Sequence, residues 1–185
     1  FVDLDAFDRN IDHFLQLRQR LAAQHSIRLA TKSLRVPSLI QRVVDRGHPF
    51  RGLMCYAASE AWFLAEQGFG DLLLAYPTNQ QADVALLRWI HDAGKCVRLV
   101  VDSLAAAEWV SQNMLGVSRP FELVLDVDMS YRVAAGRLHI GVRRSPVRTI
   151  GQVLQFLRAV DRLPSVRCRS LMAYEAQVAG LPDRN

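Results

Sequence analysis

The stretch IRLATKSLRVPSL, residues 27–39, carries an apolar run into a lysine and then directly into the start of a helix. Ile27, Leu29 and Ala30 predict a short buried strand, and Pro37 predicts the first position of a helix, where the missing N–H of proline is tolerated. Lys32 therefore lies at the junction of a strand and a helix. In a barrel of repeated strand–helix units this junction faces the active site, so Lys32 is a candidate chemical group.

The same alternation of strand and helix continues along the whole chain. An amphipathic helix, with Asp5 as its predicted N-cap, precedes the first strand, and a second helix begins at Pro37. Continuous Val/Leu runs, without strict alternation of apolar and polar residues, indicate strands that are covered on both faces and therefore a parallel sheet. The six predicted strands are IRLA, GLMCYA, DLLLAYP, KCVRLVVD, FELVLDVD and RCRSLMAYEA.

These patterns predict an α/β fold, a parallel (β/α)8 TIM-type barrel truncated after about six strands. A doubly wound open sheet is the alternative, but no GxGxxG turn follows the first strand and no P-loop is present. A complete barrel needs about 250 residues, whereas the chain has 185. We therefore expect residues 1–185 to form one partial barrel domain, with residues missing before Phe1 and the remaining strands beyond Asn185.

The composition excludes several classes of protein. Half of the chain is apolar and 8% is aromatic, as expected for a globular α/β protein. The longest apolar runs are as short as strands and far below the roughly 20 residues of a membrane span, so we expect no membrane partner. Cys55, Cys96 and Cys168 lie far apart without a CxxC spacing, which argues against disulfides and a zinc site and favours a reducing cytoplasm.

A basic segment, GVRRSPVR at residues 141–148, contributes to the net charge of +5. It lacks interleaved aromatic residues and a helix-turn-helix pattern, so nucleic acid is the least favoured partner. The remaining interpretations are a solvated or structural loop and a local site for a phosphate or carboxylate.

Polar residues follow the predicted strands and form one candidate ring. Because the carboxyl ends of parallel strands meet at one rim, we expect these side chains to surround a single lysine. A nucleophilic lysine amine at such a rim can attack a carbonyl, as a Schiff-base enzyme requires. A lysine that merely extends from a strand end into solvent explains the position equally well. The ring consists of Lys32, Tyr56, Tyr76, Asp102, Asp128 and Tyr174.

Three further acids have structural interpretations. Asp126 and Asp128 point to the same side of one predicted strand, where the loop arginines favour ion pairs over a metal site. Glu60, at the start of a predicted helix, is favoured there by the helix dipole.

Beyond these local patterns, a series of segments resembles one known family. FVDLDAFDRNI, RLATKS, MCYAASEAWFLAEQGFGDLLLAYP, LVLDVD, HIGVRRSPVRT and LMAYEAQVAG, in this order, resemble the N-terminal barrel domain of fold-type III pyridoxal-phosphate (PLP) enzymes. This family contains alanine racemase, D-threonine aldolase and D-serine dehydratase. The strings HIGVRRSP and YEAQVAG make the amino acid deaminase/aldolase branch the most similar, and the resemblance spans essentially the whole chain.

The resemblance implies roles for individual residues. Lys32 aligns with the lysine that holds PLP as an internal aldimine in the family. Tyr174 matches a position from which a side chain stacks on the pyridine ring, although a core aromatic residue would give the same pattern. The implied cofactor-binding residues are Lys32, Tyr56, His139, Arg143 and Tyr174.

His139 departs from the family pattern. It falls where relatives often carry an arginine near the phenolic oxygen of the cofactor. Arg137, Arg143 or Arg144 is the alternative source of that positive charge, and His139 can instead pair with a backbone carbonyl.

The implied function is that of a PLP-dependent lyase acting on D-β-hydroxy amino acids, by retro-aldol cleavage or by dehydration and deamination, with Lys32 as the catalytic residue. The alternatives are an amino acid racemase of the alanine racemase type, a non-catalytic PLP-binding protein of PLP homeostasis, and a barrel aldolase that uses lysine without a cofactor. The resemblance also implies a homodimer. It places a C-terminal β domain, the phosphate-binding groups and any divalent-metal ligands beyond Asn185, so that this chain alone is expected to be inactive.

Overall fold

The computed structural model describes residues 1–21, 24–133 and 138–179 of the chain. Helices and strands alternate along almost its entire length. The helices are α1 (Leu4–Arg20), α2 (Pro37–Val44), α3 (Ala58–Glu66), α4 (Gln81–Asp92), α5 (Leu104–Asn113), α6 (Ile150–Val160) and α7 (Ala176–Ala179). The strands are β1 (Ile27–Ala30), β2 (Phe50–Cys55), β3 (Asp71–Leu74), β4 (Cys96–Val101), β5 (Phe121–Val127), β6 (Tyr131–Val133), β7 (Leu138–Ile140) and β8 (Val166–Ala173).

Six of these strands form one parallel sheet in the order β1-β2-β3-β4-β5-β8. All six correspond to strands predicted from the sequence, and successive strands are joined through helices. The predicted α/β fold with barrel-type strand–helix units is therefore confirmed. Within the described residues, no helix combines the length and the apolar character needed to cross a membrane.

The hydrophobic core lies between the sheet and the helices. Alternate residues of the central strands point toward the helices and are almost completely buried, and each buried side chain of this size contributes roughly 1.5–3 kcal/mol. The intervening residues of the same strands point to the opposite face, which carries charged side chains such as Arg98 and Glu122 as well as apolar ones such as Val100 and Val124. The core residues of the central strands include Leu72, Leu74, Val97, Leu99, Leu123 and Leu125.

The junction after β1 is held firmly in place. Residues Thr31–Ser33 form a single 3₁₀ turn, and the Oγ1 of the fully buried Thr31 donates a hydrogen bond of 3.1 Å to the carbonyl of Met54 in β2. Pro37 is at the start of α2, as the sequence predicts. Lys32 therefore lies in a short turn that is anchored on the neighbouring strand.

Two local features differ from the sequence-based expectation. The N-cap of α1 is Asp3, whose carboxylate accepts the backbone N–H of Ala6 at 3.0 Å, so the prediction of Asp5 was wrong. Asp5 lies in the first turn instead, where an acid is also favoured by the helix dipole. The short antiparallel hairpin of β6 and β7, between β5 and α6, was not predicted, because two three-residue strands give too little periodicity.

Candidate active site

Lys32 is exposed at the carboxyl end of β1. Because all six strands of the sheet run parallel, residues that follow β2, β3 and β8 lie at the same end of the sheet as Lys32. Tyr56, Tyr76 and Tyr174 occupy such positions.

Tyr76 and Tyr174 flank one arginine, and Tyr56 packs against Tyr76. The rings of Tyr56 and Tyr76 pack edge to face with centroids 5.0 Å apart. The guanidinium carbon of Arg144 lies 5.4 Å from the ring centroid of Tyr76 and 5.6 Å from that of Tyr174. Contacts of this kind contribute about 0.5–1 kcal/mol each at exposed sites. We call Tyr56, Tyr76, Arg144 and Tyr174 the Tyr/Arg cluster.

Asp126 fixes Arg144 in this cluster. The Nε of Arg144 donates to Asp126 Oδ2 at 3.1 Å, and its Nη2 donates to the carbonyl of Ala75 at 3.2 Å. The side chain of Asp126 is only 2% exposed, and its Oδ1 has no hydrogen-bond partner among the described residues. Burial raises the pKa of Asp126, and the positive charge of Arg144 only partly opposes this effect. The cluster thus contains a buried acid paired with a partly buried cation.

Of the three arginines considered as sources of positive charge, the structure brings Arg144 to the tyrosines. Arg143 is exposed, and Arg137 lies outside the described residues. The sequence placed Arg143, and not Arg144, among the implied cofactor-binding residues, because two adjacent arginines in a loop carry no signal that tells them apart.

Asp128 has a structural role. Its side chain is completely buried and accepts hydrogen bonds from Ser130 N at 2.9 Å and Arg132 Nη2 at 2.7 Å, with Arg148 Nη1 at 3.4 Å. Burial acts to raise the pKa of Asp128, but hydrogen bonds from Ser130 and Arg132 outweigh it and hold the pKa below its usual range. The predicted ion pairing of Asp126 and Asp128 is confirmed.

Asp102, of the predicted ring, and Glu60, the predicted first-turn acid, each make a hydrogen bond that involves the backbone. The carbonyl of Asp102 accepts a hydrogen bond of 3.4 Å from Ser145 Oγ. Glu60 lies in the first turn of α3, as predicted, and its carboxylate accepts the backbone N–H of Tyr56 at 2.7 Å. This contact fixes the backbone of a residue of the Tyr/Arg cluster. Among the described residues, no three His, Cys, Asp or Glu side chains come together as metal ligands would.

His139 lies on β7, opposite Arg132 of β6. Its Nε2 is buried and has no hydrogen-bond partner among the described residues. Nε2 therefore does not make the expected hydrogen bond to a backbone carbonyl among the described residues.

Two segments that suggested the family resemblance meet in space. Gly141, of the string HIGV, has φ of +110°, and a Cβ added there would lie 2.7 Å from Gln177 Oε1. Gln177, of the string YEAQVAG, also donates from Nε2 to the carbonyl of Met129 at 2.9 Å. A residue larger than glycine at position 141 would displace this side chain.

The sequence matches no known family profile and no curated protein, whereas solved structures do match. D-threonine aldolase from Filomicrobium marinum has a TM-score of 0.71 at 19% identity, over 92% of this chain and 42% of that chain. D-threo-3-hydroxyaspartate dehydratase from Delftia sp. HT23 has a TM-score of 0.70 at 21% identity, over 93% and 41%. The chain has the fold of these proteins.

Alanine racemase from Clostridium difficile 630 shares the same fold, with a TM-score of 0.64 at 12% identity, over 89% of this chain and 42% of that chain. The resemblance inferred from the sequence is thus confirmed at the level of the fold. The chain spans about two fifths of the length of these solved structures. In this fold, Lys32 and the Tyr/Arg cluster occupy the end of the sheet at which barrel enzymes carry their active sites.

Proposed function

We propose that the chain is the barrel domain, residues 1–185, of a PLP-dependent lyase that acts on D-β-hydroxy amino acids, with Lys32 as the residue that bonds to the cofactor. The observation that carries this proposal is the exposed amine of Lys32, in an anchored turn at the same end of the sheet as the Tyr/Arg cluster. The aldolase and the dehydratase have TM-scores of 0.71 and 0.70 to the chain, against 0.64 for both alanine racemase and the alanine racemase-like protein. This difference supports the lyase branch.

The side chains at this end of the sheet fit the cofactor. An exposed primary amine is free to bond to an aldehyde. Tyr56 and Tyr174 are 56% and 44% exposed, so that their rings offer surfaces against which a flat pyridine ring can pack. Arg144 supplies positive charge, and the unpartnered Nε2 of His139 is able to hydrogen-bond to a polar group. The exposed guanidinium of Arg143 remains a second candidate for binding an anionic group.

Bound PLP supplies an electron sink for the bond that is broken at the substrate α-carbon. The residues of this chain do the rest: Lys32 Nζ holds the cofactor and is the amine that takes or returns a proton near the α-carbon. Cleavage of the Cα–Cβ bond gives the retro-aldol reaction, and loss of the α-proton from a β-hydroxy amino acid gives dehydration followed by deamination.

An amino acid racemase is the second candidate. It is supported by the structural likeness to alanine racemase and to an alanine racemase-like protein from Idiomarina loihiensis, which has a TM-score of 0.64 at 19% identity. Both candidates use the same lysine. They differ in the product, so the test is to incubate each D-β-hydroxy amino acid with the PLP-loaded whole protein. An aldehyde or an oxo acid indicates the lyase, and the L-isomer indicates the racemase. A PLP-binding protein without turnover gives none of these products.

We further propose a homodimer in a reducing cytoplasm, as the resemblance implies. The three cysteines are free thiols, which supports a reducing compartment. We propose that any divalent metal is bound by residues outside this chain.

The experiment that tests the role of Lys32 is simple because Lys32 and Lys95 are the only lysines in the sequence. The protein is incubated with PLP, reduced with borohydride and digested, and the labelled peptide is identified by mass spectrometry. We expect a visible absorption band and a label on the Lys32 peptide, both lost in Lys32→Ala.

Lys95 provides the matched control. It directly precedes β4, at the opposite end of the sheet, and its Nζ donates to the carbonyl of Phe69 at 3.3 Å. Lys95→Ala should keep the band and the label. A label that stays in Lys32→Ala, or that distributes equally over both lysines, would disprove the proposal.

A further inference from the structure

Two buried acids near the carboxyl end of β5, Asp126 and Asp128, are paired in different ways. Both oxygens of Asp128 have partners: Oδ1 accepts from the backbone N–H of Ser130, and Oδ2 faces two arginines. Asp126 uses only Oδ2, which accepts from Arg144 Nε, while its buried Oδ1 has no hydrogen-bond partner among the described residues. Asp128 is therefore fully paired, whereas Asp126 is held by a single cation.

A second acid lies beside Asp126. The strands β4 and β5 pair in register up to the residues that precede Asp102 and Asp126, so these two carboxyl groups follow neighbouring strands at the same level. Burial is the main cause that raises the pKa of Asp126; the charge and hydrogen bond of Arg144 oppose it, and the negative charge of Asp102 adds to it. On the other side, the cross-strand partner on β8 is the uncharged Met172. Within the described residues, the charged groups that face Asp126 are thus one cation and one acid.

The position of Arg144 depends on the charge of Asp126. Its other contacts are neutral: the carbonyl of Ala75 at 3.2 Å, and the rings of Tyr76 and Tyr174, whose centroids lie 5.4 Å and 5.6 Å from the guanidinium carbon. A hydrogen bond between two charged groups is roughly twice as strong as one between neutral groups. Uptake of a proton by Asp126 therefore removes the strongest contact that fixes this side chain.

The loop that carries Arg144 is anchored independently of Asp126. The backbone N–H of Asp128 donates to the carbonyl of Val147 at 2.8 Å, and Ser145 Oγ donates to the carbonyl of Asp102 at 3.4 Å. Burial acts to raise the pKa of Asp128, but its hydrogen bonds outweigh that effect and hold the pKa below its usual range. Asp128 therefore keeps its charge at pH values at which Asp126 takes up a proton. The change is confined to the side chain of Arg144.

We propose that Asp126 is the positioning residue of this site: its carboxylate holds Arg144 between Tyr76 and Tyr174, and proton uptake by Asp126 releases Arg144 and weakens PLP binding. The proton comes from solvent and adds to a carboxylate oxygen, and no covalent bond breaks. PLP is an anion, so a cation that leaves its place no longer attracts it. The release of Arg144 depends on this chain alone, whereas its effect on PLP rests on the proposed function.

The tyrosine rings report the position of Arg144, because the sequence contains only four tyrosines. Tyr76 and Tyr174 contact the guanidinium, whereas Tyr131 lies on β6. The ring signals of the whole protein without PLP are recorded by NMR from pH 4 to pH 8, together with the carboxyl carbon of Asp126. We expect the signals of Tyr76 and Tyr174 to shift in one step, with the midpoint of the Asp126 carboxyl, and the signal of Tyr131 not to follow that step.

Two variants that each remove one acid identify the group that titrates. Asp126→Asn keeps the size of the side chain but cannot ionise, so it should abolish the step. Asp92→Asn is the matched control, because Asp92 also pairs with an arginine, Arg88 at 3.5 Å, but on the outer surface of α4. It should leave the step unchanged.

Two results would overturn the positioning role of Asp126. One is a tyrosine step that persists in Asp126→Asn. The other needs no variant: in the unchanged protein, the carboxyl carbon of Asp126 titrates while the signals of Tyr76 and Tyr174 stay in place.

A second measurement connects Asp126 to the cofactor. The affinity for PLP is measured from the visible absorption band of the whole protein and of Asp126→Asn over the same pH range. The ratio of the two affinities cancels the effects of pH on Lys32 and on PLP itself. We expect Asp126→Asn to bind about tenfold more weakly above the midpoint, the effect of one charge-assisted hydrogen bond, and equally well below it.

The outcomes separate this inference from the proposed function. Equal affinities at every pH would overturn the effect of Asp126 on PLP and would leave the role of Lys32 intact. If the unchanged protein binds no PLP, the proposed function fails, and the tyrosine titration still decides whether Asp126 positions Arg144.

Discussion

The two ends of the parallel sheet obtain their charged residues in different ways. At the amino end, residues within the strands form a row of ion pairs, which we call the charge ladder: Arg28, Asp71, Arg98, Glu122 and Arg167. The sheet register places Arg98, Glu122 and Arg167 side by side. At the carboxyl end, Lys32 and the Tyr/Arg cluster come from turns and loops after the strands. The amino end is thus positioned by backbone pairing, whereas the carboxyl end depends on side chains from distant segments. This arrangement gives barrel enzymes a stable frame and a variable site.

The largest effect is expected at the amino end, from Gly52→Ala. The added methyl group meets Arg28 and Asp71 at a residue with φ of +70°, so it both strains the backbone and separates the first ion pair. We expect the free energy of unfolding in urea to fall by about 3 kcal/mol. Gly70→Ala is the matched control, because a Cβ there has no neighbour within 4 Å, and it should change stability little. Equal stability of Gly52→Ala and Gly70→Ala would show that Arg28 does not reach Asp71 across Gly52.

A smaller loss is expected at the carboxyl end, from Arg144→Gln. This variant leaves the buried carboxylate of Asp126 without its cation and removes the contacts to Tyr76 and Tyr174. We expect a loss of about 2 kcal/mol in the free energy of unfolding, together with a change in the tyrosine signals of the near-ultraviolet circular dichroism.

Arg143→Gln should leave both quantities unchanged, because Arg143 is exposed. If Arg143→Gln disturbs the tyrosine signals as much as Arg144→Gln does, the assignment of Arg144 to the cluster is wrong.

The contrast between residues within strands and residues in loops also explains how much of the structure can be predicted from the sequence. The six strands, the Lys32 turn and the ion pairing of Asp126 and Asp128 follow from local patterns: apolar runs, a helix-starting proline and the two-residue alternation of a strand. The choice of Arg144 over Arg143 does not follow from a local pattern, since it depends on Asp126, which lies 18 residues earlier in the chain. It also depends on tyrosines that follow three different strands.

The charge ladder could not be predicted from the sequence either. Arg28 and Asp71 are 43 residues apart, and their contact requires a gap at Gly52 that becomes visible only when the strands are in register. Composition indicates how many charges a chain carries but not which of them meet across a sheet. The catalytic role of Lys32 stays a prediction until the cofactor is trapped.

The smallest effect, and the most direct comparison of the two ends, lies in the pH dependence of stability. The pKa of Glu122 is lowered from its usual 4.5: burial acts to raise it, but hydrogen bonds from Arg167 and Arg98 outweigh that effect. The unfolded chain therefore binds this proton more readily than the folded chain, so that Glu122 stabilises the fold above pH 4.5 and loses this contribution as the pH falls.

Asp126 has the opposite sign. Burial raises its pKa above the usual 3.8, and Arg144 opposes this only in part, so the folded chain holds the proton more readily than the unfolded chain does. Its contribution to stability is therefore present at low pH and is lost as the pH rises through the raised value. The free energy of unfolding is measured in urea from pH 3 to pH 6. Glu122→Gln should reduce the fall of this free energy toward acid pH. Asp126→Asn should increase that fall relative to the unchanged protein. Slopes that change in the same direction would mean that the two ends do not differ in how they shift the pKa values of Glu122 and Asp126.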